Sequence, residues 1–124
     1  MGRGKRGLRV GLRLQDGEAT LLLLPDQIEA STGWSQARIA LDLSEGELPR
    51  LAAGLRKLAE DGHGSFLWAN EGGEVRIEVV MAKRGETHWS VRLQAAPDFL
   101  HELRLVFVGR QEELLGLADG LASP

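Results

Sequence analysis

The chain has 124 residues, a formal net charge of −3, and a composition that is 43% hydrophobic and 27% charged, which is typical of one globular domain and unlike a disordered chain. Its longest uninterrupted apolar runs, such as residues 21–24, are far shorter than the roughly 20 residues that a membrane-spanning helix needs. Cysteine is absent, which excludes disulfides, thiolate nucleophiles and cysteine-ligated metals.

Charge is distributed unevenly along the chain. Residues 1–13 contain five basic residues and no acid, so the remaining residues carry a net charge of −8. We expect residues 1–7 to form a basic, flexible N-terminus, because short Gly/Arg/Lys termini are usually solvated tails. The pattern of a secretory signal is missing after this segment, which favours the cytoplasm.

The first half predicts four strands. Residues 8–14 and 37–43 alternate apolar and other side chains with the period of two expected of half-buried strands. Asp16 and Gly17 favour a tight turn before a returning strand over 19–25. Residues 28–31 predict a short third strand.

A helix is predicted after residue 43, where the apolar period changes from 2 to 3.6. Ser44 and Glu47 have the spacing of a capping box, which predicts a helix start, and glycines at 62 and 64 predict its end. One apolar stripe contains Leu48, Leu51, Ala52, Leu55, Leu58 and Ala59. We expect this stripe to pack on a sheet.

The second half repeats this order, with strands predicted over 65–70, 74–82, 87–93 and 102–108 and a helix over about 111–121. The nonapeptide ELPRLAAGL at 47–55 returns 66 residues later as ELLGLADGL at 113–121, with six of nine positions identical. Gly54 and Gly120 lie beside the leucines of these repeats, and we expect close approach of each helix to the sheet there, because Gly in a helix costs about 1 kcal/mol relative to Ala.

These patterns predict the α+β class. We expect a single domain over 8–124, in which two four-strand-plus-helix units form a largely antiparallel twisted sheet of seven or eight strands with two helices. The pseudo-repeat halves are about 8–62 and 63–121. The alternative to a duplication is two unrelated amphipathic helices.

The residues that carry chemistry form no recognisable site. His63, His88 and His101 lack both metal-ligand spacing and a nucleophile to activate, and the glycines of the N-terminus do not sit between a strand and a helix as in a phosphate loop. His101 with Asp98 and Glu102 forms the nearest approach to a metal cluster, but a solvated turn is the better interpretation. We therefore expect no enzyme activity, cofactor or metal.

Several arginines are predicted on the side of the strands opposite the apolar set, together with His88. They are Arg9, Arg13, Arg38, Arg76, Arg92 and Arg104. The stretch ARIALDLSEGELPRLAAGL is similar in pattern to the last strand and helix of PC4, Whirly and PUR-type proteins, which bind single-stranded nucleic acid on a sheet face. That resemblance implies a nucleic-acid interface, for which Trp34, Phe66 and Trp68 are the candidate stacking platforms and Trp89 and Phe107 are expected in the core. The alternative is a solvated arginine face.

A second resemblance covers residues 8–121. The order LRLQDGEATLLLL, ARIALDLSEGELPRLAAGLRKLAEDG, VRIEVVMAKRGETHWSVRL and LRLVFVGRQEELLGLADGL resembles small bacterial WapI-type immunity proteins, including a closing helix with Gln111, Leu114 and Leu117. The resemblance implies a non-enzymatic protein that binds and neutralises a partner toxin.

Protein binding is thus the first expectation, single-stranded nucleic-acid binding the second and catalysis the third. Many toxins are nucleases with basic clefts, so a toxin partner would favour acidic contacts such as Glu71, Glu74 and Glu86. A homodimer is also compatible with the sequence.

Overall fold

A computed structural model of the protein describes residues 11–94 and 102–122 and divides the chain into two consecutive units. The first unit contains β1 (Leu12–Asp16), β2 (Ala19–Leu23), β3 (Gln27–Ser31), β4 (Gln36–Ala40) and α1 (Glu47–Asp61). The second contains β5 (Ser65–Ala69), β6 (Val75–Met81), β7 (Glu86–Gln94), β8 (Glu102–Arg110) and α2 (Leu114–Ala122). The α+β class with two four-strand-plus-helix units is confirmed.

The strands pair in chain order into two antiparallel four-stranded sheets, β1–β4 and β5–β8, instead of one continuous sheet. Short connections make each strand pair with its sequence neighbour. Between β4 and β5, however, the 15 residues of α1 carry the chain about 22 Å away, at 1.5 Å per residue. This separation explains why the expected seven or eight strands divide into two sheets.

Alternating burial gives each sheet an inner and an outer face. In β6, Val75, Ile77, Val79 and Met81 are buried, whereas the residues between them are exposed. The other long strands alternate in the same way, so the inner faces of both sheets and the apolar stripes of both helices form one hydrophobic core.

The two helices begin in equivalent ways. The Ser44 amide donates to the Glu47 carboxylate at 2.7 Å, and 66 residues later the Arg110 amide donates to the Glu113 carboxylate at 2.8 Å. Gly46 is the cap residue of α1 and no side-chain cap bond forms, so only the carboxylate half of the predicted capping box is present. Glu47 is buried, and its second oxygen accepts from the Glu71 amide at 2.7 Å, which ties α1 to the β5–β6 turn.

Each helix packs against the other unit's sheet. Gly54 of α1 lies under Phe66 of β5, where a Cβ would be only 2.0 Å from the ring. Gly120 of α2 accepts a hydrogen bond from the Gly11 amide, next to β1, at 3.1 Å, and a Cβ at position 120 would be 3.4 Å from the Gly11 oxygen. Gly54 therefore allows the close approach expected of it, whereas a Cβ at position 120 would make only an ordinary contact. The exchanged contacts join the two units.

Several expectations fall on other parts of the chain. The N-terminal segment 1–7, the start of the first predicted strand, Arg9, and Asp98 with His101 lie outside the described residues. Within the described residues, neither helix is long and apolar enough to cross a membrane.

Candidate binding surface

The outer face of the second sheet is the exposed side of β5–β8, and we call it the arginine face. The strand register arranges its side chains in rows that run across the four strands. The first row is Ala69, Arg76, Arg92 and Arg104; the second is Leu67, Glu78, Ser90 and Val106; the third is Ser65, Val80, His88 and Val108.

Three arginines are direct cross-strand neighbours in the first row. Arg76 pairs with Arg92, and Arg92 pairs with Arg104, which brings their Cβ atoms to within about 5.5 Å of each other. Arg104 donates to Glu102, and this hydrogen bond lowers the pKa of the Glu102 carboxyl, with the charges of Arg104 and Arg92 acting in the same direction. Arg76 and Arg92 form no ion pair with any other described residue. The row therefore concentrates positive charge.

A fourth cation extends this row beyond the edge of β5. The Arg50 guanidinium, which comes from α1, donates to the Ala69 carbonyl at 2.8 Å and lies 6.0 Å from the centroid of the Trp68 ring. Strand alternation gives no signal for Arg50, because it belongs to a helix, and sequence reasoning therefore missed it.

Exposed apolar side chains share the other two rows of the arginine face with polar and charged ones, namely Ser65, Glu78, His88 and Ser90. Leu67, Val80, Val106 and Val108 are 51%, 40%, 64% and 46% exposed, and they are four of the six large hydrophobic residues that are exposed in the described part of the chain. The sequence contains a signal for two of them, since residues 105–108 are uninterruptedly apolar in a strand with only one buried face. A shallow depression of ≈ 380 Å³ lies between the arginine row and Val106, and it opens to solvent.

The outer face of the first sheet has a different character. Its rows are Arg13, Leu22, Glu29 and Arg38, followed by Gln15, Thr20, Ser31 and Gln36. Arg38 pairs with Glu29 at 3.6 Å, and the Thr20 and Ser31 hydroxyls share a hydrogen bond of 2.7 Å. The predicted arginines are thus divided between the two sheets: Arg13 and Arg38 lie on the first, and Arg76, Arg92 and Arg104 lie on the second.

Among residues 11–94 and 102–122, the aromatic side chains do not supply stacking platforms on the arginine face. Trp68 is 2% exposed, and its indole donates to the Glu47 carbonyl at 2.8 Å, because alternation along β5 turns it towards the core. Its assignment to a nucleic-acid interface is thus wrong. Phe66 is half-buried against Gly54, and Trp89 and Phe107 are in the core as expected. Trp34 is 95% exposed, in the turn between β3 and β4.

The three acids predicted for protein binding do not form one cluster. Glu71 is exposed in the β5–β6 turn, and Glu74 in the same turn accepts from the Asn70 amide at 2.7 Å. Glu86 lies at the start of β7, where its carboxylate hydrogen-bonds His88 at 2.9 Å. Glu74 lies at the other end of β7, where its carbonyl accepts from the Gln94 amide. Eight residues of extended chain separate the two ends, about 27 Å at 3.4 Å per residue.

The histidines lie apart from one another in the described residues. His63 is in the turn after α1, and His88 is on the arginine face. Among residues 11–94 and 102–122, no group of three metal-ligating side chains comes together.

Comparison with known proteins gives no relative from which to transfer a role. No family model, curated protein or solved structure matches the chain. A functional assignment must therefore be argued from its own surfaces.

Proposed function

We propose that the chain is a non-enzymatic protein-binding module that contacts its partner through the arginine face, and that its role is immunity-like, namely to bind and neutralise that partner. The observation that carries this proposal is the mixture of exposed apolar residues, such as Leu67 and Val106, with the arginine row on one sheet face. The buried cores of interfaces are more apolar than the rest of the protein surface, and arginine is enriched in interfaces whereas lysine and carboxylates are depleted.

The arrangement of the arginines supports a binding role for this face. Like charges directly opposite one another in a sheet destabilise it. Arg92 lies between Arg76 and Arg104, so the fold carries a cost that an acidic or neutral side chain at position 92 would remove. An acidic partner surface would neutralise the row and offset this cost on binding.

Single-stranded nucleic acid is the second candidate, because the same row places one arginine on each of three neighbouring strands. Phosphates would neutralise Arg76, Arg92 and Arg104, but the face offers exposed aliphatic side chains where base stacking needs aromatic rings. This mixture favours a protein over a nucleic acid.

The test is affinity capture from the native host with the full chain and three variants. Arg92→Glu and Val106→Asp change outward side chains of the arginine face, and Lys57→Glu reverses an exposed charge on α1 as the matched control. We expect one protein partner to be retained by the wild type and Lys57→Glu and lost by the other two, with titration calorimetry on the purified partner giving the affinities. A partner that binds all four chains equally contradicts the assignment of the surface.

A labelled single-stranded oligonucleotide distinguishes the second candidate by fluorescence anisotropy. Three phosphate contacts predict that log K falls with log salt concentration with a slope of about −2. Binding with that slope, lost in Arg92→Glu and unaccompanied by a protein partner, favours nucleic acid. No anisotropy change at low salt eliminates it.

A further inference from the structure

The turn between β3 and β4 exposes a tryptophan to solvent. Trp34 is 95% exposed, whereas Trp68 and Trp89 are 2% and 1% exposed. An indole carries more apolar surface than any aliphatic side chain, and tryptophan is among the residues most enriched at the energetic centres of interfaces. Its exposure is unfavourable in the isolated chain and is relieved when a partner covers it.

The turn that presents Trp34 is held by its own hydrogen bonds. The Thr32 amide donates to the Ser35 carbonyl at 2.8 Å, and the Ser35 amide donates to the Thr32 hydroxyl at 3.2 Å. The indole is thus carried by an ordered hairpin, so that a partner has little backbone entropy to remove on binding.

Two acidic side chains lie at the β1–β2 turn, which neighbours this turn. The Glu18 carboxylate lies beside Gly33, only 2.2 Å from where a Cβ at position 33 would be, so the β1–β2 turn lies next to the β3–β4 turn. Asp16 is the last residue of β1, immediately before the β1–β2 turn. Residues 14–25 and 30–37, which include both turns, contain these two acids and no basic residue. We call Asp16, Glu18, Gly33 and Trp34 the acidic tip.

The acidic tip adjoins the arginine face. The Asp16 carboxylate accepts a hydrogen bond from the Val108 amide of β8 at 3.0 Å, and the Val108 side chain belongs to the third row of that face. A contact that covers Val106 and Val108 can therefore continue over the edge of β8 onto the tip.

We infer that Trp34 anchors a second part of the interface by entering an apolar socket on a protein partner, and that basic residues border this socket opposite Asp16 and Glu18. The inference rests on the proposed protein-binding function and adds the chemistry of the partner. Opposite charges at the tip and on the arginine face would fix the orientation in which the partner binds.

A first test uses synthetic peptides and intrinsic fluorescence. Because Trp68 and Trp89 are buried, long-wavelength emission reports Trp34. We expect an 18-residue amphipathic peptide of leucine and lysine to shift this emission to shorter wavelengths, and a matched leucine–glutamate peptide to leave it unchanged. Trp34→Phe should abolish the shift, and Glu18→Lys should reverse the preference between the two peptides.

Controls decide between the possible occupants of the tip. Leu115→Ala removes another exposed apolar side chain, 52% exposed on α2, and should leave the shift intact. An equal response to both peptides, or no response to the lysine peptide at millimolar concentration, overturns the inference. A shift with phosphatidylcholine vesicles but with neither peptide assigns the tip to a lipid surface and also overturns it.

The captured partner provides a second, independent test. Trp34→Ala should raise its Kd at least about 30-fold, which is about 2 kcal/mol at 1.4 kcal/mol per tenfold, and Trp34→Phe should raise it less. If Trp34→Ala leaves the Kd unchanged while Arg92→Glu abolishes binding of the same partner, the role of the tip is overturned and the proposed function stands. If capture yields no partner, the proposed function fails, and the peptide titration alone then tests whether Trp34 binds an apolar, basic surface.

Discussion

Glu47 and Glu113 occupy equivalent positions at the starts of the two helices, but their surroundings differ. Glu47 is 3% exposed and accepts from two backbone amides, whereas Glu113 is exposed and accepts from one. A buried carboxylate that satisfies two amides leaves both without a partner when it is removed. Glu47 is therefore a structural residue, although an acid in the first turn of a helix is usually exposed to solvent.

We predict that Glu47→Ala lowers the free energy of unfolding by about 3 kcal/mol, because hydrogen bonds to charged groups contribute about 1.5–3 kcal/mol each and burial removes the water that would replace them. Glu113→Ala, the matched control, should lower it by only about 0.5–1 kcal/mol. Urea denaturation of both variants provides the comparison. Equal losses at the two positions would contradict the role assigned to the Glu71 contact.

Arg92 gives the opposite expectation for stability. Glu at position 92 would face Arg76 on one side and Arg104 on the other, so we predict that Arg92→Glu raises the free energy of unfolding by about 0.5–1 kcal/mol at low salt. The gain should shrink as salt screens these exposed charges. Arg38→Glu, which breaks the pair with Glu29, is the control and should be neutral or destabilising. A variant at position 92 that is less stable than the wild type would remove the argument from like charges.

At the scale of single elements, local patterns located the strands and helices, although β4 ends at Ala40 instead of residue 43 and α2 begins at Leu114 instead of about residue 111. Alternation in β6 and β7 and the leucine stripe of α1 are sequence signals, and the structure has these elements within one or two residues of their predicted bounds. The arginine face was only partly predictable. Alternation correctly predicted that Arg76, Arg92 and Arg104 point outward. It could not predict which strands share a sheet, because that depends on the path of α1. Nor could it predict Arg50, which reaches the face through the tertiary contact of α1 with β5.

Glycine within the two helices allows an element-scale prediction. Gly54→Ala adds a methyl group 2.0 Å from the Phe66 ring, so we expect a loss of about 1–3 kcal/mol despite the better helix propensity of alanine. A Cβ added at Gly116 of α2 would meet no neighbouring atom, so Gly116→Ala should raise the free energy of unfolding by about 0.5–1 kcal/mol. Thermal unfolding followed by circular dichroism measures both. A stabilised Gly54→Ala protein would show that α1 does not approach β5 closely.

At the scale of the whole molecule, the two units depend on each other. α1 packs on β5, and α2 lies against the residue before β1. The helices contact one another through Arg56 and Asp119 at 3.1 Å, and the side-chain amide of Gln111, just before α2, donates to the Ala59 carbonyl of α1 at 2.8 Å. Neither sheet covers its inner face with its own helix alone. The sequence repeat in the two helices is thus a repeat of interface residues as well as of secondary structure.

This exchange predicts that neither half folds alone as a monomer. Residues 8–62 and 63–121, produced separately, should each lack a cooperative unfolding transition, because each would expose the inner face of its sheet and the apolar stripe of its helix to water. Mixing the two halves should restore a one-to-one complex with the circular dichroism spectrum and unfolding transition of the intact chain. A homodimer of one half is also compatible with the exchange, since a second copy can supply the missing helix, and size-exclusion chromatography with light scattering distinguishes it from a monomer. A half that unfolds cooperatively as a monomer would show that its helix covers its own sheet, contrary to the contacts of Gly54 with Phe66 and of Gly120 with Gly11.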